Sequence, residues 1–192
     1  MNLSDIKLQT GRAYLPTIRQ QSADILIDIL KQINADSILE IGTFVGYSGS
    51  LMLHNCNGRL TTIEKDPVLA TYAKENFKKE GLLERVTLIE GDAGEVIERL
   101  DDKFDLIFLD GPKGQYFKYL PTLKKLLKVG GVLVSDDILF HGYTFKDPVP
   151  HKHRTIVNSL RSFIDNLQSD PAFETQLLKI EDGLLISKKL RD

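Results

Sequence analysis

SILEIGTFVGYSG, residues 37 to 49, runs a short apolar segment into three closely spaced glycines. SILEIG (37 to 42) reads as a buried parallel strand, and the glycine-rich turn after it opens a helix from about Tyr47. The same rhythm continues on the carboxyl side. LTTIE (60 to 64) is a second strand, and DPVLATYAKENFKKEG (66 to 81) a helix capped by Asp66, with Pro67 in its first turn and Gly81 as its stop. RVTLIEGD (85 to 92), AGEVIERL (93 to 100) and KFDLIFLD (103 to 110) follow as strand, helix and strand. QYFKYLPTLKKLLKVGG (115 to 131) reads as a helix with Pro121 as an irregularity and a double glycine closing it, and GVLVSDD (131 to 137) as the fifth strand. On the amino side, residues 16 to 33 carry a helical stripe at Ile18, Ala23, Ile25, Leu26, Ile29, Leu30 and Ile33.

After residue 137 the rhythm breaks. ILFHGYTFKDPVPHKH (138 to 153) has two prolines, several aromatic residues and no period, and its length marks it as a candidate lid or substrate loop. A helix from about Arg154 to Gln168 is expected next, then a hairpin in which EDG (181 to 183) joins FETQLLKI (173 to 180) to LLISKK (184 to 189). The expected fold is one α/β domain with five βα units on a mostly parallel sheet, followed by an antiparallel carboxyl-terminal hairpin.

Bulk composition permits this fold. At 192 residues and 42% hydrophobic, the chain is long enough for one well-buried core and too short for two ordinary domains. With 25 basic and 27 acidic residues, the net charge of −2 gives no global positive field for nucleic acid. A single cysteine, Cys56, cannot form an internal disulfide, which fits a reducing cytoplasm. The start, MNLSDIKLQTGRAY, lacks a signal peptide's apolar core, and no stretch approaches the roughly 20 apolar residues of a membrane span. A cytoplasmic protein without a membrane partner is the expectation.

The chemistry-bearing residues fall where the strands run out, and in an open α/β sheet those carboxyl ends form the ligand crevice. Gly42, Gly46 and Gly49 let the backbone turn sharply and approach a ligand, but not in the GxGxxG order that suits a pyrophosphate. Tight packing would explain such a turn equally well. Glu64 lies twenty-two residues past Gly42, near the offset at which an acid accepts from ribose hydroxyls. Gly91 and Asp92 are placed to flank an adenine ring, or else form an ordinary turn. Asp110 ends one strand, and Asp136 and Asp137 end the next. Three acids so close would repel and desolvate one another by several kcal/mol, which points to a hard cation such as Mg²⁺. In a second reading one of them caps the following segment. Lys113 hangs over the same site, and beside a cation its pKa should fall far enough for it to act as a base.

Taken together, ILEIGTFVGYSG, TIE, FDLIFLDGPK and VSDD resemble the cation-dependent O-methyltransferases, the group of the catechol and caffeoyl-CoA enzymes, across about residues 16 to 189. The resemblance implies S-adenosylmethionine (SAM) as cofactor, on a seven-stranded, mostly parallel, Rossmann-like sheet with helices on both faces. Glu40, Gly42, Thr43, Tyr47 and Ser48 would line its methionine side, Glu64 would hold the ribose, and Gly91, Asp92 and Ala93 would border the adenine. It further implies Mg²⁺, Mn²⁺ or Ca²⁺ on Asp110, Asp136 and Asp137, with Asp110 also beside SAM and Lys113 as catalytic base. Asp137 stands where many relatives carry asparagine, which adds a negative charge. KGQY (113 to 116), ILFHG (138 to 142), HRTIV (153 to 157) and DGLLISKK (182 to 189) look like the bacterial branch that methylates 5-hydroxyuridine in tRNA. The acceptor is therefore expected to be a catechol-like small molecule or the tRNA anticodon region, and the assembly a homodimer.

Two other classes share this sheet. A nucleotide-dependent oxidoreductase would need the missing phosphate-binding glycine pattern, and a non-catalytic SAM-binding protein would dispense with Lys113 or the acids. His54, His141, His151 and His153 show no zinc-like spacing with Cys56. Lys152, Arg154 and Arg161 make a local basic stretch that suits either phosphates or a solvated helix face. Phe140, Tyr143 and Phe145 would either stack on a flat acceptor or pack the loop down, while Tyr116 and Phe117 are expected in the core.

Overall fold

The computed structural model describes residues 17–192. Residues 1–16, which include the start MNLSDIKLQTGRAY, lie outside the described residues. Helix α1 spans Gln20–Gln32, followed by β1 (Ser37–Ile41), α2 (Tyr47–His54), β2 (Arg59–Glu64), α3 (Pro67–Lys79), β3 (Val86–Glu90), α4 (Ala93–Ile97) and β4 (Phe104–Leu109). Then come α5 (Tyr116–Leu126), β5 (Leu127–Ser135), α6 (Arg154–Ser169), β6 (Phe173–Leu178) and β7 (Leu184–Lys189). The seven strands form one sheet in the order β3-β2-β1-β4-β5-β7-β6. Pairings among β1 to β5 are parallel, and β7 runs antiparallel to both β5 and β6. The strand order reverses between β1 and β4, where a doubly wound sheet opens its crevice. Among the described residues no helix is long and apolar enough to cross a membrane.

Because neighbouring strand residues point to opposite faces, each central strand feeds two cores. Leu39, Ile41, Ile107, Leu109 and Leu133 pack under α5 and α6, whereas Ile38, Leu60, Leu106, Phe108 and Val134 pack under α1, α2 and α3. Helix α6 shows why it forms. Val157, Leu160, Phe163, Ile164 and Leu167 recur at helical spacing and are all buried, and each such side chain contributes about 1.5–3 kcal/mol on leaving water. Asp66 caps α3 as expected, accepting from the Val68 and Leu69 N–H groups.

The double glycine does not close the helix before it. Helix α5 ends at Leu126 and β5 begins at Leu127, so residues 127–131 belong to a strand. Register slips there: Phe104 faces Leu127, but Leu106 faces Val132. Gly130 has a φ of +84°, and a Cβ on Gly131 would stand 2.8 Å from the Asp105 carbonyl oxygen. The pair therefore forms a bulge pressed against β4, which only glycine fits. Pro121 sits inside α5 without ending it. Of the two aromatic residues expected in the core, Tyr116 is fully buried, while Phe117 is 44% exposed.

Candidate active site at the strand tips

The parallel ladder continues one residue beyond the strands and so fixes the backbone of the site. Gly91 N–H donates to the Glu64 carbonyl, Gly42 N–H to that of Ile63, Asp110 N–H to that of Ile41, and Asp136 N–H to that of Leu109, at 2.9–3.1 Å. Read across the sheet, Gly91, Glu64, Gly42, Asp110 and Asp136 form a row along one edge. They border a cavity of about 450 Å³ that Asp92, Ala93, Lys113 and Asp137 also line. Gly42 makes the approach possible: its φ is +100°, and a Cβ there would lie 2.4 Å from the Asp110 carbonyl oxygen.

Glu64 is held from two sides. One carboxylate oxygen accepts from the Phe44 N–H at 2.8 Å and the other from the Asp66 N–H at 2.9 Å. A carboxylate has about four acceptor sites, so both oxygens keep capacity for hydroxyl donors. Asp92 caps α4 through the Gly94 N–H and pairs with Lys65 at 2.9 Å. That hydrogen bond from Lys65 holds its carboxyl below the usual carboxylate range.

Glu40, Thr43, Tyr47 and Ser48, expected on the methionine side of the cofactor, are not among the residues that line this cavity. Glu40 is fully buried and accepts from the Ser48 and Thr62 hydroxyls, and Thr62 is also bonded to the Thr43 hydroxyl. The knot ties the glycine turn to β1 and β2 from behind. Burial pushes the Glu40 carboxyl up to about 7, against the two hydroxyl hydrogen bonds.

At the other end of the row, Lys113 Nζ stands 2.6 Å from Asp110 Oδ1 and 3.3 Å from Asp137 Oδ2. Asp136 is 5% exposed and accepts from the Asp137 N–H through Oδ1. Burial and the charges of Asp110 and Asp137 push it up to about 7. Burial likewise raises Asp110, and Lys113 pulls it back. The described residues contain no ready-made cluster of three metal-ligating side chains, and the three acids stand at neighbouring strand tips without forming one. An ammonium bridges two of them, because buried acids need a counter-charge and Lys113 supplies it. Lys113 itself departs from expectation. Burial disfavours its charged form, yet its surroundings hold it above the ordinary lysine value. The Tyr116 phenol below it is pushed up by burial and stays neutral, so the carboxylates carry that effect.

Thr17, Arg19, Phe44, Tyr119, His141 and Asp182 also line the cavity and were not singled out as binding residues from the sequence. Of the three loop aromatics, Phe140 alone lines the cavity; Tyr143 stacks on His153, and Phe145 is 53% exposed under Lys179. Arg161 is committed to the loop, donating to the Thr144 and Lys146 carbonyls.

The donor chemistry nonetheless suits a hard cation. Asp110, Asp136 and Asp137 offer only oxygen, and the Asp137 N–H is the one hydrogen-bond donor to Asp136 among the described residues. The chain and its fold are similar to those of known proteins. The family model described as O-methyltransferase matches residues 2–190. An Arabidopsis thaliana protein named as a caffeoyl-CoA O-methyltransferase is 33% identical over 170 residues, covering 84% of this chain and 73% of its own. A Staphylococcus aureus structure under a caffeoyl-CoA O-methyltransferase name superposes with a TM-score of 0.87 at 30% identity, covering 97% of this chain and 90% of its own. The O-methyltransferase TomG of Streptomyces achromogenes, solved with SAM, gives 0.88 at 25% identity, with 98% and 89% covered. The chain belongs to the O-methyltransferase family, whose members take their methyl group from SAM.

Proposed function

We propose that this protein moves the methyl group of SAM to an acidic hydroxyl of an acceptor seated beside Asp110, Asp136, Asp137 and Lys113. The observation that carries this reading is the single cavity that Glu64 and Asp92 line at one end and the acid-lysine cluster at the other. SAM supplies a methyl group on a positive sulfur, and alignment of a nucleophile behind it accounts for much of the rate. Glu64, fixed by two backbone N–H groups, accepts from the ribose, and Asp92 with Ala93 borders the base.

Asp110, Asp136 and Asp137 would hold a divalent cation, Mg²⁺ in the first instance, and that ion would stabilise a phenol-like oxygen as its anion. Lys113 Nζ is protonated while two carboxylate charges face it. It becomes a base only when that negative charge is drawn off, which a cation held by the acids would accomplish. Phe140 and His141 bound the space left for the acceptor.

A second oxygen adjacent to the reacting hydroxyl lets an acceptor chelate the ion. Catechols have that pair, and so does 5-hydroxyuridine with its neighbouring carbonyl. The test offers methyl-labelled SAM in parallel to a catechol panel, to unmodified tRNA and to tRNA carrying 5-hydroxyuridine. Label on the oxygen of either acceptor class supports the proposal and selects the class. SAM binding with no label on any acceptor rejects it.

A further inference from the structure

Glu181 and Asp182, adjacent in the turn between β6 and β7, are bonded to two different walls of the cavity. Glu181 accepts from the Gln21 N–H at 3.2 Å through Oε1, and from the Ser22 N–H at 3.1 Å and hydroxyl at 2.7 Å through Oε2. Those amides belong to the first turn of α1, whose N–H groups have no helical carbonyl to reach. Immediately before them, Thr17 and Arg19 line the cavity.

Asp182 holds the opposite wall. It is 8% exposed, lines the cavity itself, and accepts from the His141 N–H at 2.7 Å through Oδ1. Its carbonyl takes the Leu139 N–H at 2.7 Å, and the Gly183 carbonyl takes the Ile138 N–H at 3.0 Å. Gly183 has a φ of +88°, and a Cβ there would stand 2.4 Å from Leu139 Cγ. The bare backbone of Gly183 therefore packs directly on Leu139, with no room for a side chain of its own.

The wall needs such support. Phe140, His141 and Gly142 all have positive φ, at +47°, +56° and +78°. A non-glycine residue in that region is strained and persists only where its surroundings impose it. Asp182 and Gly183 are those surroundings. Glu181 is itself left-handed, at +47°, and this orientation lets consecutive carboxylates reach opposite sides of the turn.

We propose that Glu181 and Asp182 act as one clasp, two positioning residues that set the acceptor side of the cavity by tying the entry of α1 to Phe140 and His141. Glu64, Gly91 and Asp92, proposed for the ribose and the base, stand at the tips of β2 and β3, and none of the bonds made by Glu181 and Asp182 reaches them. The role assigned to the acceptor side rests on the proposed methyl transfer, whereas the mechanical coupling does not.

Amide hydrogen exchange and kinetics on the full chain test both parts, using Glu181→Ala, Glu181→Gln and Asp182→Asn. In Glu181→Ala, exchange should rise about fivefold or more not only at residues 17–22 but also at 138–142, the signature of one coupled unit. Acceptor KM should rise about fivefold while kcat falls less, with the SAM Kd unchanged. Glu181→Gln, which keeps acceptor oxygen, should fall between it and wild type. Exchange changes confined to 17–22, or an acceptor KM that does not move, overturn the clasp. Should Glu181→Ala not fold, Glu181→Gln and Asp182→Asn carry the same two readouts. Exchange needs no turnover, so wild-type protein that methylates none of the acceptors would sink the proposed function and leave the coupling to be judged on its own data.

Discussion

Lys113 Nζ lies 2.6 Å from Oδ1 of Asp110, three residues earlier in the chain, and this ion pair balances the charge of the strand-tip cluster. Both partners are mostly shielded, with 17% and 21% of their side chains exposed. The lysine thus lines the acid end of the cavity and is held protonated, the wrong state for a base. Function at this position depends on what else draws on the carboxylates.

Lys113→Ala removes both the counter-charge and the proton acceptor. Turnover should fall by at least about a hundredfold, in the range of lost general-base catalysis. Calorimetry should find SAM affinity within about threefold of wild type, since Glu64 and Asp92 are untouched. A variant with undiminished turnover removes the lysine from the mechanism.

Stability should fall as pH rises through the weakly acidic range. Glu40 has an ordinary pKa of 4.5 and is pushed up to about 7 in the folded protein, so the folded state binds more protons than the unfolded one between those values. Its contribution is whole below pH 4.5 and is lost progressively by about pH 7, about 3 kcal/mol across the window. Asp136, raised to about 7 mainly by burial, adds a loss of the same sign. Urea unfolding at a series of pH values should show this slope, and Glu40→Gln should flatten it. A Glu40→Gln slope equal to wild type would mean that the carboxyl is ionised in both states.

Gly42→Ala should be poorly tolerated. Its φ of +100° disfavours any side chain, and a Cβ 2.4 Å from the Asp110 carbonyl oxygen would force β1 and β4 apart at their tips. We expect destabilisation of about 2 kcal/mol or more together with weaker SAM binding. Thermal unfolding and calorimetry check the two effects, and wild-type values for both would contradict the close approach.

Asp92→Ala removes the α4 cap and the pairing with Lys65 at the far end of the cavity. SAM Kd should rise about tenfold, with kcat at saturating SAM much less affected. An unchanged Kd would place the adenosine elsewhere.

Much of this site was legible because each strand is an apolar run ended by glycine or an acid. SILEIG, TTIE, FDLIFLD and GVLVSDD mark four tips of the row, and the parallel ladder carries them to one edge. What sequence could not show depends on contacts made across the chain. Glu40 looks like a site acid, but Ser48 and Thr62 enclose it behind the turn. Lys113 looks like a base, but its protonation is set by two carboxylates whose approach only folding determines. The double glycine at 130 and 131 looks like a helix stop, and only the register of β4 turns it into a bulge. Asp182 and His141 are 41 residues apart, and Glu181 and Gln21 are 160 apart, so no local pattern announces either bond.

The most direct measurement is the rate of methyl transfer from SAM to the acceptor identified in the panel, using protein stripped with chelator and then titrated with Mg²⁺. The account predicts no turnover in the stripped wild type, a saturable rise with added Mg²⁺, and no comparable rise for Asp136→Ala. Full turnover in excess chelator would contradict it.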